Sequence, residues 1–153
     1  MTTEIEAYWS KYLLTLPEEE RHQPYYEAES WGNSAELADR IAALVLSGVK
    51  TTTSRLEWER EKSNDPTEKI GDRSIVLNAR QEPICIIEVT DIFIRPFDQV
   101  DAAFVYQYGE GSRDMDFWNK DMWEYYEAEC TELGLSASPD MPMICQVFKV
   151  IFK

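Results

Sequence analysis

The sequence predicts an α+β fold: a small, mainly antiparallel sheet or barrel with flanking helices. Three observations carry this. Apolar residues recur at helical spacing in three separate segments, near residues 3–15, 33–47 and 114–133. Between and after them, residues 49–56, 74–94 and 143–152 hold β-branched and apolar residues bounded by glycine or proline, the pattern of strands. With 153 residues, 44% of them hydrophobic and 12% aromatic, the chain has the length of one domain and the material for a sizeable core, which excludes whole-chain disorder.

Taken in order, Ile5, Tyr8, Trp9, Tyr12 and Leu13 make an amphipathic N-terminal helix that Pro17 and three glutamates bring to an end. Arg21–Trp31, with Pro24, Tyr25 and Tyr26, reads as an extended aromatic connector. A second helix begins near Asn33, where Asn33 and Glu36 have capping-box spacing; Leu37, Ile41, Leu44 and Val45 form its buried stripe, and Gly48 closes it. Three consecutive threonines, Thr51–Thr53, then favour strand over helix. Residues 57–69 are polar and charged and read as a mobile loop or a frayed helical turn. Gly71-Asp72 turns into a hairpin of strands at 74–78 and 84–94. Asp98 is placed to cap a short helix over Val100–Tyr108, and Asp114 or Asp116 starts a longer one whose aromatic face takes in Phe117, Trp118, Met122, Tyr125 and Tyr126 before Gly134. Met143–Phe152 carries apolar residues on both faces, as a central strand does. Residues 1–29 are expected to pack as a helix and connector on a domain formed by residues 30–153.

Charge and residue inventory narrow the function. The formal charge is −14, which disfavours nonspecific grip on duplex DNA, since each phosphate contact needs local positive charge. It leaves room for a small basic pocket on an acidic body. No apolar run approaches the ~20 residues of a membrane span, and the N-terminus lacks a basic-then-apolar leader, so a cytoplasmic protein without membrane contact is expected. Cys85, Cys130 and Cys145 are odd in number, far apart and set among apolar residues, which suits reduced core thiols. The lone His22 removes Ser–His–Asp, Cys–His and multi-histidine metal chemistry, and no carboxylate cluster has metal-ligand spacing; no cofactor is implied.

The helix–Gly48–strand junction is the most informative point. A lysine beside a threonine hydroxyl is a base–nucleophile pair when partial burial lowers the lysine pKa. Strict strand alternation would separate Lys50 from Thr53, so the two converge only if the chain bends or bulges just after Gly48. The plainer alternative is a solvated lysine beside ordinary strand threonines. Glu110, between Gly109 and Gly111, is either an exposed turn residue or a carboxylate on a loop shaped to approach a ligand. Trp31, flanked by Ser30 and Gly32, is a candidate pocket wall for a stacked base.

Gly48-Val49-Lys50-Thr51-Thr52-Thr53-Ser54-Arg55 resembles the Gly-x-Lys-x-x-Thr-x-Arg signature of ASCH (activating signal cointegrator homology) domains. The resemblance extends in order through Glu36–Gly48, Ile70-Gly71-Asp72, Ile87–Thr90, Pro96–Val100, Gly109-Glu110-Gly111, Trp118 and Cys145–Val150, roughly residues 30–152, and suggests a small bacterial-type single-domain member. It implies a PUA-like small β-barrel that binds RNA or nucleotides in a cleft lined by the signature. Some small bacterial relatives resemble amidohydrolases of N4-acetylcytidine and others have been linked to ribonuclease activity. By that likeness Lys50, Thr53 and a loop glutamate would be catalytic. The family loop commonly reads Glu-Gly-Glu-Gly, whereas this chain has Tyr108-Gly109-Glu110-Gly111, and Met122 stands where close relatives often carry histidine.

Three functions therefore compete. In the first, a modified nucleoside, nucleotide or short single-stranded RNA is recognised in the cleft, with Gly48, Lys50, Thr53, Arg55, Tyr108 and Trp31 as contacts. In the second, the same cleft hydrolyses its ligand without a metal: Lys50 and Thr53 with Glu110 would cleave an acetyl amide, or Lys50 and Tyr108 would cleave RNA. In the third, the cleft is degenerate and the Tyr- and Trp-rich N-terminal helix is a partner or homodimer surface.

Overall fold

The computed structural model describes residues 2–22 and 27–153. Five helices, α1 (Thr3–Leu14), α2 (Ala35–Leu46), α3 (Glu57–Ser63), α4 (Ala102–Tyr108) and α5 (Trp123–Glu132), surround five strands: β1 (Glu27–Glu29), β2 (Thr52–Leu56), β3 (Arg73–Leu77), β4 (Pro83–Pro96) and β5 (Pro142–Phe152). The strands form one sheet in the order β1-β3-β4-β5-β2. Among the described residues only the β1–β3 pairing is parallel. The long β4–β5 ladder shifts register at Ile86/Ile87 and at Val89/Asp91. Such irregularities bend a strand pair, and they curl this sheet into a half-barrel of the PUA-like α+β type.

Alternation along the strands explains the layers. Ile75 and Leu77 of β3 and Ile86 of β4 meet Ile5, Trp9 and Tyr12 of α1, while Val76, Cys85 and Ile87 meet Ile41, Ala42 and Val45 of α2. The apolar side of α1 formed by Ile5, Trp9 and Tyr12 is thus packed on the sheet. A third cluster, from Leu56 and Met143 through Phe104, Tyr108, Trp118 and Tyr126, joins β2 and β5 to α4 and α5. β5 lies inside the sheet, as its two-sided apolar pattern requires.

Several local expectations are corrected. The cap of α2 is Ser34, whose Oγ accepts from Leu37 N at 3.1 Å, and Glu36 pairs instead with Arg40. The cap of α4 is Asp101, accepting from Phe104 N at 2.9 Å, while Asp98 sits in a short 3-10 turn, Phe97–Gln99. Asp114 does cap the next helical stretch, which begins as a π-helical turn, Phe117–Met122, before α5. Residues 57–63 are a regular helix ended by Asn64 in the left-handed conformation, φ 58°. Pro24, Tyr25 and Tyr26 of the aromatic connector lie outside the described residues, and its continuation Glu27–Glu29 is an edge strand. Among the described residues no helix is long and apolar enough to cross a membrane.

Candidate functional site

The signature begins in a turn rather than in a strand. Gly48 takes φ +80°, a left-handed conformation that reverses the chain, and nothing lies within 4 Å of where a Cβ would stand. Val49 N and Lys50 N both donate to Leu44 O, and Thr51 N to Gln107 O, before the β2 ladder starts at Thr52. Lys50 thus lies outside the strand alternation.

Its side chain runs into the protein and is 1% exposed. The ammonium donates to Thr52 O at 2.8 Å and Tyr108 O at 3.2 Å, pairs with Glu110 Oε2 at 2.9 Å, and lies 3.4 Å from the centre of the Tyr108 ring. An ammonium has three hydrogens, and three acceptors occupy them. Burial lowers the Lys50 pKa to about 8, with the attraction of Glu110 and its hydrogen bond opposing the fall.

Glu110 reaches the lysine because of its two glycines. Gly109 has φ +74°, and a Cβ there would stand 2.8 Å from Val49 O and 2.9 Å from Lys50 Cα; a Cβ on Gly111 would stand 2.2 Å from the Phe117 ring. The loop can therefore lie directly on the signature turn. Glu110 remains 16% exposed, and its Oε1 has no protein partner among the described residues.

A hydroxyl chain completes this end. Ser54 Oγ shares hydrogen bonds with Tyr108 Oη at 3.2 Å and Tyr126 Oη at 2.6 Å, and Thr52 Oγ1 donates to Phe104 O at 3.1 Å. Burial, together with Glu110, raises the Tyr108 pKa against hydrogen bonding from Ser54 and Thr53. Burial likewise holds the Tyr126 phenol well above its ordinary value. Both remain neutral donors at physiological pH. Thr53 is half-buried on β2 and its hydroxyl interacts with Tyr108; no hydrogen bond joins it to the Lys50 amine. The bend after Gly48 exists, yet it delivers Lys50 to Glu110 and Tyr108 rather than to Thr53.

Further along β2, Arg55 is enclosed. Nε donates to Glu59 Oε2 at 2.6 Å, Nη1 to Glu68 Oε1 at 3.0 Å, and Nη2 to Asp65 and to Ser63 Oγ, the latter at 3.2 Å. Burial opposes its charge, but these hydrogen bonds outweigh that and raise its pKa. An arginine expected to contact the ligand thus meets the chain's own carboxylates. Trp31 lies toward this end: Nε1 donates to Glu29 Oε1 at 3.1 Å, its ring sits edge-on to Phe148 at 5.5 Å, and the Glu29 carboxylate feels both Arg55 and Glu68.

Tyr125 lies between the two ends. Burial raises its phenol pKa, as do Glu129, Glu59 and Glu110, yet the residue is 47% exposed. The sequence reading placed Tyr125 on a buried aromatic face; α5 buries its neighbour Tyr126 and presents Tyr125 to solvent. The sequence does not single out Ser54, Tyr125 or Tyr126 as site residues; adjacent helical residues point about 100° apart, which lets α5 bury Tyr126 and expose Tyr125. Among the described residues no group of three or more His, Cys, Asp or Glu is placed to hold a metal ion.

The comparisons with known proteins agree with this architecture. Residues 27–152 match the ASCH domain family. The fold is similar to that of an ASCH domain from Lactobacillus crispatus JV V101, with TM-score 0.94 and 26% identity over 100% of this chain and 97% of that one. It is also similar to a protein from Enterococcus faecalis V583, with TM-score 0.89 and 26% identity over 99% of this chain and 90% of that one. No functionally curated protein matches the sequence. With the family match running from β1 to the end of β5, around a signature turn that seats Lys50 on Glu110, the chain belongs to the ASCH domain family.

Proposed function

We propose that the protein recognises a nucleoside, free or within short single-stranded RNA, by its base beside the Lys50–Glu110 pair. The observation that supports this is the Glu110 carboxylate, fixed through Oε2 by a buried ammonium while Oε1 stays unpartnered and the residue reaches solvent. A carboxylate so held is a preorganised acceptor for the N–H groups on a base edge, cytosine N4 among them. Half-exposed Tyr125 offers an adjoining ring on which a base can stack. The net charge of −14 sets such a site against long polynucleotide tracts and in favour of a small ligand. Calorimetric titration with cytidine and N4-acetylcytidine tests the reading. Binding by the wild type that weakens about tenfold in both Glu110→Ala and Tyr125→Ala is expected, from the ~1–3 kcal/mol of a base contact or stack. Failure of the wild type to bind any nucleoside would sink it.

A hydrolytic reading has one observation in its favour: with a pKa of about 8, Lys50 is neutral in roughly one molecule in ten at pH 7. The neutral amine would take the Thr53 proton as Thr53 Oγ attacks the acetyl carbonyl. The C–N4 bond would break with return of that proton to the departing cytidine amine, and water would then release acetate from Thr53. This requires Lys50 to leave Glu110 or Tyr108 and turn to Thr53. Incubating N4-acetylcytidine with wild type, Lys50→Ala and Thr53→Val decides it, since cytidine release by Thr53→Val at the wild-type rate would exclude a threonine nucleophile.

A further inference from the structure

We infer that Arg55 is a latent anion site closed by the chain's own segment 64–69, an electrostatic latch that a phosphate-bearing ligand must displace. Asp65 and Glu68 take the two terminal nitrogens of the guanidinium, one carboxylate each. That is the arrangement in which an arginine fork takes two oxygens of a single phosphate. The segment is thus the ligand's stand-in, tethered to the protein.

The way the segment is fastened makes it a latch rather than a structural wall. Asn64, Asp65, Pro66, Thr67 and Lys69 are all exposed and contribute nothing to the core. Beyond Arg55, Asp65 is held by a side-chain hydrogen bond with Ser63 and a carbonyl contact from Arg60 Nη1 at 3.3 Å, neither partner belonging to the core. The far end is fixed by Lys69 N and Nζ on Asp72 at 2.9 and 3.0 Å. Helix α3, by contrast, is anchored, with Trp58 packed on the core and Arg60 paired to Glu57 at 2.6 Å. The left-handed Asn64, between the anchored helix and the unanchored segment, is the natural hinge. A segment with few apolar contacts belongs to the low-stability end of a fold.

The latch is also electrically overfilled. Arg55 carries one positive charge against the three carboxylates of Glu59, Asp65 and Glu68, a formal sum of −2. Glu29 feels Glu68, and Glu129 feels Glu59, so the surroundings add repulsion. Glu68 Oε2 is buried without a hydrogen-bond partner. Release of Asp65 and Glu68 relieves that repulsion and hydrates the stranded oxygen, while Glu59 on Nε keeps the guanidinium aimed.

The test uses inorganic pyrophosphate as probe, so it does not depend on whether the Glu110 end binds a nucleoside. Asp65→Asn/Glu68→Gln is compared with wild type and with Glu18→Gln/Glu19→Gln, which removes the same charge from an exposed turn without touching Arg55. In the latch variant, the amides of Asp65, Thr67, Glu68 and Lys69 should exchange with deuterium about tenfold faster, with β4 as internal reference, and pyrophosphate should bind about tenfold more tightly, since a closed state taxes affinity by its population. Adding Arg55→Gln should abolish the affinity gain. An equal gain in the Glu18/Glu19 control, a gain that survives Arg55→Gln, or unchanged exchange at 65–69 would each overturn the latch.

Discussion

Replacing Lys50 by methionine keeps the length and most of the apolar stem of the side chain while removing its ammonium. Two buried carbonyls, Thr52 O and Tyr108 O, then lose a donor, and Glu110 loses its counter-ion. Removing one partner of a buried pair costs about 3–5 kcal/mol. Here Glu110 is 16% exposed and can rehydrate, and the burial that depresses the Lys50 pKa is itself relieved. The net expectation is a loss of about 2–4 kcal/mol, or a fall in Tm of about 5–15 °C for a chain of this size. Urea unfolding followed by tryptophan fluorescence, with calorimetry, measures it. In a double-mutant cycle Lys50→Met and Glu110→Gln should couple by about 1–3 kcal/mol. The pH dependence has a definite sign. Folding lowers the Lys50 pKa from 10.5 to about 8, so between those values the unfolded chain holds the extra proton. The Lys50 contribution to stability therefore rises with pH across that window, and Lys50→Met should remove this slope. A Lys50→Met protein within about 1 kcal/mol of wild type, or single changes that simply add, would refute the view that this ammonium ties three elements together.

Three other perturbations probe separate parts of the structure. Gly109→Ala meets both a left-handed backbone, φ +74°, and the backbone of Val49 and Lys50. It should cost about 2–4 kcal/mol in urea unfolding and detach Glu110, whereas Gly134→Ala, with φ +75° and nothing within 4 Å, should cost only about 1 kcal/mol. Ser54→Ala leaves two buried phenols short of a partner and should cost about 1–3 kcal/mol, while Tyr126→Phe, which removes one of them, should cost less. Glu129 is pushed up to about 7 by burial and by Glu59, against the pull of Arg55, so the folded state holds its proton more tightly than the unfolded one. Its contribution to stability falls as pH rises from about 4.5 to 7, and Glu129→Gln should stabilise by about 1–2 kcal/mol at pH 8 and by little at pH 4, read by urea unfolding at both pH values.

What was legible in the sequence was whatever local rules decide. The stripe of Leu37, Ile41 and Val45, the glycine after α2 and the apolar strands each obey one periodicity, and each was read correctly in kind. Caps slipped by one to three residues, from Asn33 to Ser34 and from Asp98 to Asp101, because several neighbouring side chains can satisfy the same open N–H groups and only the incoming chain direction selects one. Residues 57–63 read as a mobile loop or a frayed helical turn because the segment is polar, yet Trp58 packs on the core and Arg60 pairs with Glu57 in a full helix that intrinsic pattern does not announce. The site divides in the same way. Glu110 was singled out by its glycines, and they are what admit it. The partners of Lys50 were not legible, because two of its three acceptors are backbone carbonyls, which every sequence offers everywhere. The sequestration of Arg55 was hidden for another reason: its carboxylates lie 4, 10 and 13 residues away, in a stretch whose composition looked merely soluble.

The two cations of the signature therefore follow opposite electrostatic logic, one in the turn before β2 and one on the strand itself. Lys50 is balanced one to one and buried, so its charge serves architecture: it joins the end of α4, the start of β2 and the Glu110 loop, and any ligand meets it through Glu110. Arg55 is opposed three to one near the surface, so its charge is held in reserve. Part of the −14 charge of the chain thus lies beside Arg55, where the proposed latch would use it. Under the proposed function, a neutral base would reach the Glu110 end without disturbing that store. A phosphate would have to compete for Arg55 against carboxylates that are already in place and tethered, so discrimination between a nucleoside and its phosphorylated forms would follow from the arrangement without any residue dedicated to rejecting phosphate.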